Sequence, residues 1–245
     1  MIKGGTFVGR YILLIVLFLS LNQIPAMAKE RFDYEKTGKI TWEVKTNEKM
    51  VAITFDDGPN PVYTPEILDV LSKHKAKATF FVVGKHANTY PEIIRREVLE
   101  GHEIANHTFN HLNILRDSQK LENEITQTSD ALKEITGFSP TLFRPVGGSY
   151  NDVIINTAAE NGYHVVLWSW HQDTKDWKNP GVNTITKRVI SGIKPGNIIL
   201  FHDSGGNRTQ TIRALDRILT KLEKEGYEFV TVSEMLFRTH TTQNN

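Results

Sequence analysis

The sequence predicts an α/β protein whose parallel strands form a distorted or incomplete (β/α) barrel of the TIM type. Three observations lead there. From Met50 onward, short apolar runs alternate with segments of helical periodicity. Prolines and glycines punctuate those segments where helices should start and stop. Aspartates, histidines and an arginine stand at the C-terminal ends of nearly all the strand-like runs, the ends that converge on one face of a barrel. A doubly wound open sheet is the alternative with the same alternation.

Taken in order, the chain opens on a basic start, Lys3 and Arg10, then an apolar run from Tyr11 to Leu21 and the small-x-small triplet Ala26-Met27-Ala28. Residues 1–28 therefore read as a secretory signal, and a secreted or cell-surface, wall-associated protein is expected after cleavage near Ala28. The apolar run is about half of the ~20 residues that span a bilayer, which disfavours the alternative of a retained anchor. Residues 29–47 are charged and weakly patterned, and read as an extended lead-in or an edge strand. Residues 48–240 form the expected domain, with no internal repeat or flexible linker.

Strands are expected at 51–55, 78–83, 103–105, 142–144, 164–168, 198–201 and 228–231. Helices are expected at 65–74, 91–100, 118–136, 153–161, 184–193 and 209–225. Pro65 and Pro91 suit first helical turns, Asp152 suits an N-cap, and Gly101, Gly137, Gly162 and Gly226 suit C-terminal ends.

Composition excludes several classes. With 29 Lys+Arg against 28 Asp+Glu and a net charge of +1, the chain lacks the basic excess of a nucleic-acid binder. At 39% hydrophobic and 23% charged it lies well inside the globular range. Having no Cys, it cannot use thiol catalysis, Fe–S clusters or Cys-ligated zinc, so any metal must be held by His and carboxylates.

The reactive residues supply such ligands. His107 and His111 are spaced i and i+4, which on a helical turn puts both imidazoles on one side. Asp56-Asp57 after the first strand offers one carboxylate to ligate and another to face a substrate. Two His and one Asp make a site with open positions for Zn²⁺ or another first-row divalent ion such as Co²⁺. Such an ion activates water and polarises a carbonyl, which points to hydrolysis of an amide or ester.

Five ordered motifs then resemble one family: Thr54-Phe55-Asp56-Asp57-Gly58-Pro59, His107-Thr108-Phe109-Asn110-His111, Phe143-Arg144-Pro145, Asp173-Thr174-Lys175-Asp176-Trp177 and Leu200-Phe201-His202. They are similar to the polysaccharide deacetylases, the NodB-like domain of carbohydrate esterase family 4, over essentially the whole predicted domain. The resemblance implies a distorted (β/α) barrel with Asp57, His107 and His111 as metal ligands and Asp56 as general base. It implies that Arg144 pairs with Asp56, that His202 is the general acid, and that Asp176 orients His202 and raises its pKa. Trp177 and Leu200 would line the pocket for the acetyl methyl, and the Gly147 N–H would face the oxyanion. The implied partner is an N-acetylated cell-wall polysaccharide, with N-acetylglucosamine of peptidoglycan first. Chitin oligomers, N-acetylmuramic acid and xylan remain open, as does a weakly catalytic wall-binding protein; no obligate protein partner is implied. A glycosidase is disfavoured because Asp56 and Asp57 are adjacent, whereas two acids flanking one bond usually come from different strands.

One motif departs from the family pattern. Where the family commonly reads Arg-Pro-Pro-Tyr-Gly, this chain reads Arg144-Pro145-Val146-Gly147-Gly148, and Tyr150 is expected to refill part of the lost tyrosine wall. The other polar residues receive structural readings. His74 and His86 read as solvated, His102 and His164 as lying at the opposite strand ends, Trp168 as core, and Asp203 as support for its neighbour His202.

Overall fold

A computed structural model describes residues 26–243. These residues fall into two units, 26–38 and 39–243. The first unit is a helix, α1 (Ala26–Lys36), where an extended lead-in was expected. Its stretch AMAKERFDYEK has no Gly, Pro or β-branched residue, and Arg31 pairs with Glu35 one turn on at 2.8 Å. Most of the expected signal lies outside the described residues.

The second unit holds eight strands: β1 (Ile40–Thr41), β2 (Met50–Asp56), β3 (Ala78–Val82), β4 (Glu103–Asn106), β5 (Leu142–Phe143), β6 (His164–Val166), β7 (Ile198–His202) and β8 (Glu228–Phe229). Every ladder is parallel, in the order β1-β6-β5-β4-β3-β2-β7, with β8 pairing the first residues of β2. The expected edge strand of the lead-in is thus present as β1. Between β6 and β7 there is no ladder among the described residues; residues 169–174 reach β7 through single contacts such as the Asp173–Leu200 bridge. The sheet curls into an incomplete barrel, as the sequence predicts.

Helices alternate with the strands: α2 (Tyr63–Lys73), α3 (Gly84–Thr89), α4 (Pro91–Leu99), α5 (Ser118–Thr136), α6 (Asp152–Glu160), α7 (Val182–Gly192), α8 (Thr209–Lys224) and α9 (Val232–Gln243). α5 has the predicted bounds, and five others differ from expectation by one or two residues at an end. α3 and α9 were not expected. The cap of α6 is Asn151, whose side chain accepts from the Ile154 N–H at 2.9 Å, with Asp152 in the first turn instead.

Alternation along the strands sorts the core into two halves. Val51, Ile53 and Phe55 of β2 face the helices and pack with Ile199 and Phe201 of β7 and with Ile104. Met50 and Ala52 face the barrel interior with Phe81, Ala105, Leu142, Val166 and Ile198. Side chains in a strand repeat every two residues, so the interior column of each strand extends to a definite residue at its C-terminal end. Continuing these columns gives Asp56, His107, Arg144 and His202. Four polar side chains from four strands therefore meet above one apolar interior.

Candidate active site

The interior column of β2 is Met50, Ala52, Thr54 and Asp56, and its polar top is tied to Arg144. Arg144 Nη1 donates to Asp56 Oδ1 at 2.7 Å and to Thr54 Oγ1 at 2.8 Å. Its Nε and Nη2 donate to the Val166 and Leu167 carbonyls at 3.0 Å each, and the guanidinium lies 3.9 Å from the Phe81 ring centroid. Arg144 is fully buried, so this planar fork holds Asp56 in one orientation. Burial pulls the Arg144 pKa down while Asp56 pulls it back up.

Asp57 begins the turn after β2 with φ 78, a left-handed conformation that Asp adopts more readily than most non-glycine residues. The imidazole of His86 bonds its carbonyl at 2.8 Å and fixes that turn. Gly58 follows because no side chain fits there: an added Cβ would lie 2.0 Å from the Asp203 carboxylate. These contacts aim Asp57 Oδ1 at two histidines, 2.9 Å from His111 Nε2 and 3.5 Å from His107 Nε2.

The two histidines are not on a helical turn. Residues 107–111 form an irregular loop in which Thr108 and His111 both have positive φ. Asn106 Oδ1 accepts from the Thr108 N–H, and the Glu124 carboxylate of α5 accepts from the N–H groups of Phe109 and Asn110 and from the Asn110 amide. Those local bonds compete with helix formation and bend the loop back, leaving the two rings 5.3 Å apart between centroids. His107 Nδ1 lies 2.6 Å from the Arg144 carbonyl, which only accepts, so Nδ1 carries the proton and Nε2 presents its lone pair.

Among the described residues, Asp57, His107 and His111 are the group that can hold a metal ion, with ligand atoms all within 4.8 Å of one another. The donor set of two imidazole nitrogens and one carboxylate oxygen, with a bonded second nitrogen on His107, fits a zinc-like divalent ion with open positions. Burial pushes the Asp57 carboxyl up, but its bonds to His107 and His111 hold it well below the usual carboxylate range. The bond to Asp57 raises the pKa of His111.

Across the cleft, His202 ends β7, and its Nδ1 lies 2.7 Å from Asp176 Oδ1. Asp176 Oδ2 accepts from the His202 N–H and from Thr211 Oγ1 at 3.0 and 2.8 Å. Burial opposes the charge on His202, but the bond to Asp176 outweighs it and pushes the imidazole up to about 9. Nε2 is left to serve the cleft. Arg208, whose N–H groups hold the carbonyls of Ser204 and Gly205, stiffens the segment after His202.

Asp56, Asp57, His107, His111, His202 and Arg208 line a cleft of about 390 Å³ together with Gly147, Trp168, Trp177 and Leu200. Trp177 is half exposed and Leu200 buried. Gly147 has φ 68 in the short turn Val146–Gly148. Over Gly148 lies Trp168, whose ring an added Cβ would meet at 2.4 Å. Trp168 packs against the interior core, as expected from its place at a strand end, and is also a wall of the cleft. Tyr150 stands edge-on to Trp42, 5.1 Å between centroids, and walls the adjoining hollow.

Sequence reasoning placed His86 and His74 in solvent. Instead, His86 holds the Asp57 turn, and His74 sits between Asp216 and Glu223 at 2.8 and 3.0 Å. Glu124, Thr211 and Arg208 went unnoticed as supports. His86 had one available signal, its position just past the C-terminal end of β3 on the face where the other reactive residues gather. His102 is at the opposite end as expected, its Nδ1 accepting from the Ala78 N–H.

The family model described as polysaccharide deacetylase matches residues 43–166. A peptidoglycan-N-acetylglucosamine deacetylase of Bacillus cereus is 51% identical over 211 residues, covering 86% of this chain and 99% of that relative. The peptidoglycan-N-acetylmuramic acid deacetylase PdaC of Bacillus subtilis is 42% identical over 193 residues, 78% of this chain and 40% of that longer protein. Among solved structures, a peptidoglycan N-acetylglucosamine deacetylase in complex with 4-naphthalen-1-yl-N-oxidanyl-benzamide superposes with a TM-score of 0.80 at 36% identity. It covers 83% of this chain and 95% of that one.

Proposed function

The chain belongs to the polysaccharide deacetylase family, enzymes that hydrolyse N-acetyl amide bonds, and from that premise we propose that it removes acetyl from N-acetylglucosamine residues of peptidoglycan. The observation that carries the reading is the set Asp57, His107 and His111 standing beside Asp56, braced by Arg144, and His202, braced by Asp176. The 51% identity to a relative that bears this activity in its name supports the choice of sugar.

Asp57, His107 and His111 would hold a divalent ion, zinc by the chemistry of these donors, which would supply Lewis acidity for the acetyl carbonyl and the attacking water. Asp56 accepts the proton of the attacking water, and Arg144 keeps its carboxylate aimed. The Gly147 N–H faces the developing oxyanion. Trp177 and Leu200 flank the acetyl methyl. His202 gives its proton to the leaving nitrogen as the C–N bond breaks, so the products are acetate and a free amine. The basic start, apolar run and Ala26-Met27-Ala28 pattern support export of the chain to the cell wall.

The identity to PdaC favours N-acetylmuramic acid as the second reading of the sugar. Acetate release by the purified protein, zinc-loaded and chelator-treated, on peptidoglycan and on N-acetylglucosamine oligomers tests the proposal. Chelator-sensitive acetate with new glucosamine in the hydrolysate is the expected result. Muramic acid amine would move the site to the other sugar, and no acetate from either substrate would sink the reading.

A further inference from the structure

His202 and Asp203 are consecutive at the end of β7, and consecutive side chains of a strand point to opposite faces. The pairing of β7 with β2 continues past the ladder through the Asp203 N–H, which donates to the Asp56 carbonyl at 3.2 Å, so the alternation still holds at this residue. His202 takes the interior side and reaches the cleft. Asp203 is turned the other way and is buried. Adjacency suggests a carboxylate that supports His202, yet the N–H and Nδ1 of His202 are both held by Asp176. The Asp203 carboxylate is engaged elsewhere.

It lies against the turn that carries Asp57. Asp203 Oδ2 accepts from Thr64 Oγ1 at 2.5 Å, and Thr64 Oγ1 accepts in turn from the Asn60 N–H at 2.8 Å. Asn60 Oδ1 accepts from the N–H groups of Val62 and Tyr63 at 2.9 and 3.0 Å, so the segment leading into α2 closes on itself. The same Asp203 carboxylate occupies the space over Gly58, 2.0 Å from where a Cβ would stand. Gly58 has no left-handed φ, so its bare Cα is required by this contact and not by its backbone conformation. Residues 58–64 thus wrap one buried carboxyl group.

Such a group is costly for the fold, because its Oδ1 has no partner among the described residues and burial penalises a polar atom left unbonded. What it holds is a backbone that needs holding. Asp57 has φ 78, a conformation that a non-glycine residue keeps only where its surroundings impose it. From the β3 side those surroundings are the Val83 N–H, bonded to the Gly58 carbonyl at 2.9 Å, and the His86 imidazole on the Asp57 carbonyl. From the β7 and α2 side they are Asp203 and Thr64.

We propose that Asp203 and Thr64 are positioning residues of the metal site: together they hold the Asp57-Gly58 turn so that Asp57 Oδ1 meets His107 and His111, and they do not act on His202. The proposal rests on the reading of Asp57, His107 and His111 as metal ligands. Both residues act through the backbone of the turn. Affinity for the ion therefore depends on one hydroxyl of α2 and one carboxyl after β7, as it does on other groups that orient ligands without touching the metal.

The test compares the full-length protein with Thr64→Val, which keeps the shape and removes the hydroxyl, Thr64→Ser, which keeps the hydroxyl, and Asp203→Ala. Zinc affinity is read by competition with a chromophoric chelator, thermal unfolding is followed without metal, and the pH profile of kcat/KM is taken with zinc saturating. Thr64→Val and Asp203→Ala should each bind zinc about tenfold more weakly, and Thr64→Ser should stay within about twofold of wild type. The alkaline limb of the kcat/KM profile should stay in place in Thr64→Val, because Asp176 still holds His202. If Asp203→Ala does not fold, Thr64→Val decides alone. Unchanged zinc affinity in Thr64→Val overturns the proposal, whether its thermal stability falls, which would leave the pair a merely structural contact, or its alkaline limb moves, which would give the pair to His202. If the wild type binds zinc but releases no acetate, the deacetylase reading falls and the zinc titrations still decide the positioning role. If the wild type binds no zinc, the metal-site reading falls and this proposal falls with it.

Discussion

Asp56 and His202 are register partners at the C-terminal ends of the adjacent parallel strands β2 and β7. Both belong to the interior columns of their strands, so a carboxylate and an imidazole stand side by side on the barrel's open face with the metal-ligating groups next to them. Neighbouring strands lie ~4.8 Å apart, which fixes their separation through backbone pairing and not through loop conformation. The proposed proton acceptor and proton donor are thus placed by the longest ladder of the sheet.

The first prediction follows from the separate supports of Asp56 and Asp57. Asp56→Asn should retain zinc binding by calorimetry while acetate release falls at least about a hundredfold, because a neutral amide accepts no proton. His107→Ala should lose both, since it removes a ligand nitrogen. Activity retained in either variant would refute the roles.

Arg144→Met should destabilise the protein by about 3–5 kcal/mol in urea unfolding. Removing the guanidinium strands the buried Asp56 carboxylate and leaves the Val166 and Leu167 carbonyls without its N–H groups. A cost below about 1 kcal/mol would show that Asp56 is solvated by other means.

The pKa of His202, about 9 in the fold against 6.5 as an ordinary imidazole, makes stability depend on pH. The sign is set by the raised value: the Asp176–His202 interaction contributes fully below about 6.5 and is lost as pH rises through about 9. In metal-free protein, Asp176→Asn should therefore flatten the fall in stability over that window. In the loaded enzyme, it should move the alkaline limb of the kcat/KM profile to lower pH. A limb that stays in place would remove His202 as the acid.

Gly148→Ala should cost more than Gly147→Ala. Both have a left-handed φ near 67, worth about 1 kcal/mol of strain for a side chain. Only Gly148 lies under the Trp168 ring, while the position over Gly147 has nothing nearer than 3.6 Å. Overpacking adds about 1–3 kcal/mol at Gly148 and shifts the wall of the cleft. Equal thermal shifts for the two variants would contradict that packing.

Glu97 of α4 is fully buried, and desolvation pushes its pKa well above 4.5, with the Asp203 carboxylate adding to the effect. Because the folded state keeps a proton that the unfolded chain releases, stability should fall as pH rises above about 4.5. Glu97→Met should gain at least about 1 kcal/mol relative to wild type at pH about 8 and little at pH about 4, read by thermal unfolding. A pH-independent difference would mean that Glu97 is charged in the fold.

Much of this was legible because it is local. β2 shows itself as an apolar run ending in Asp56-Asp57, and α5 has the bounds its periodicity and glycine stop imply. The i, i+4 spacing of His107 and His111 brings the rings together on a helical turn, but the actual loop at 107–111 takes its shape from Glu124, thirteen residues beyond His111 and on another element. His86 looked solvated because a histidine beside a short helix gives no sign of a carbonyl 29 positions earlier in the chain.

The sequence by itself determined which strands exist and that Asp56, Asp57, His107, Arg144, Asp176 and His202 gather at one end. Apolar runs and helical spacing are properties of a few consecutive residues, so they can be read without the fold. Only the tertiary structure decided that Trp168 fills the space over Gly148, that Tyr150 turns to Trp42, and that residues 169–174 meet β7 outside a regular ladder. Those outcomes depend on how far the sheet curls and where it fails to close, and that is set by packing between residues distant in the chain.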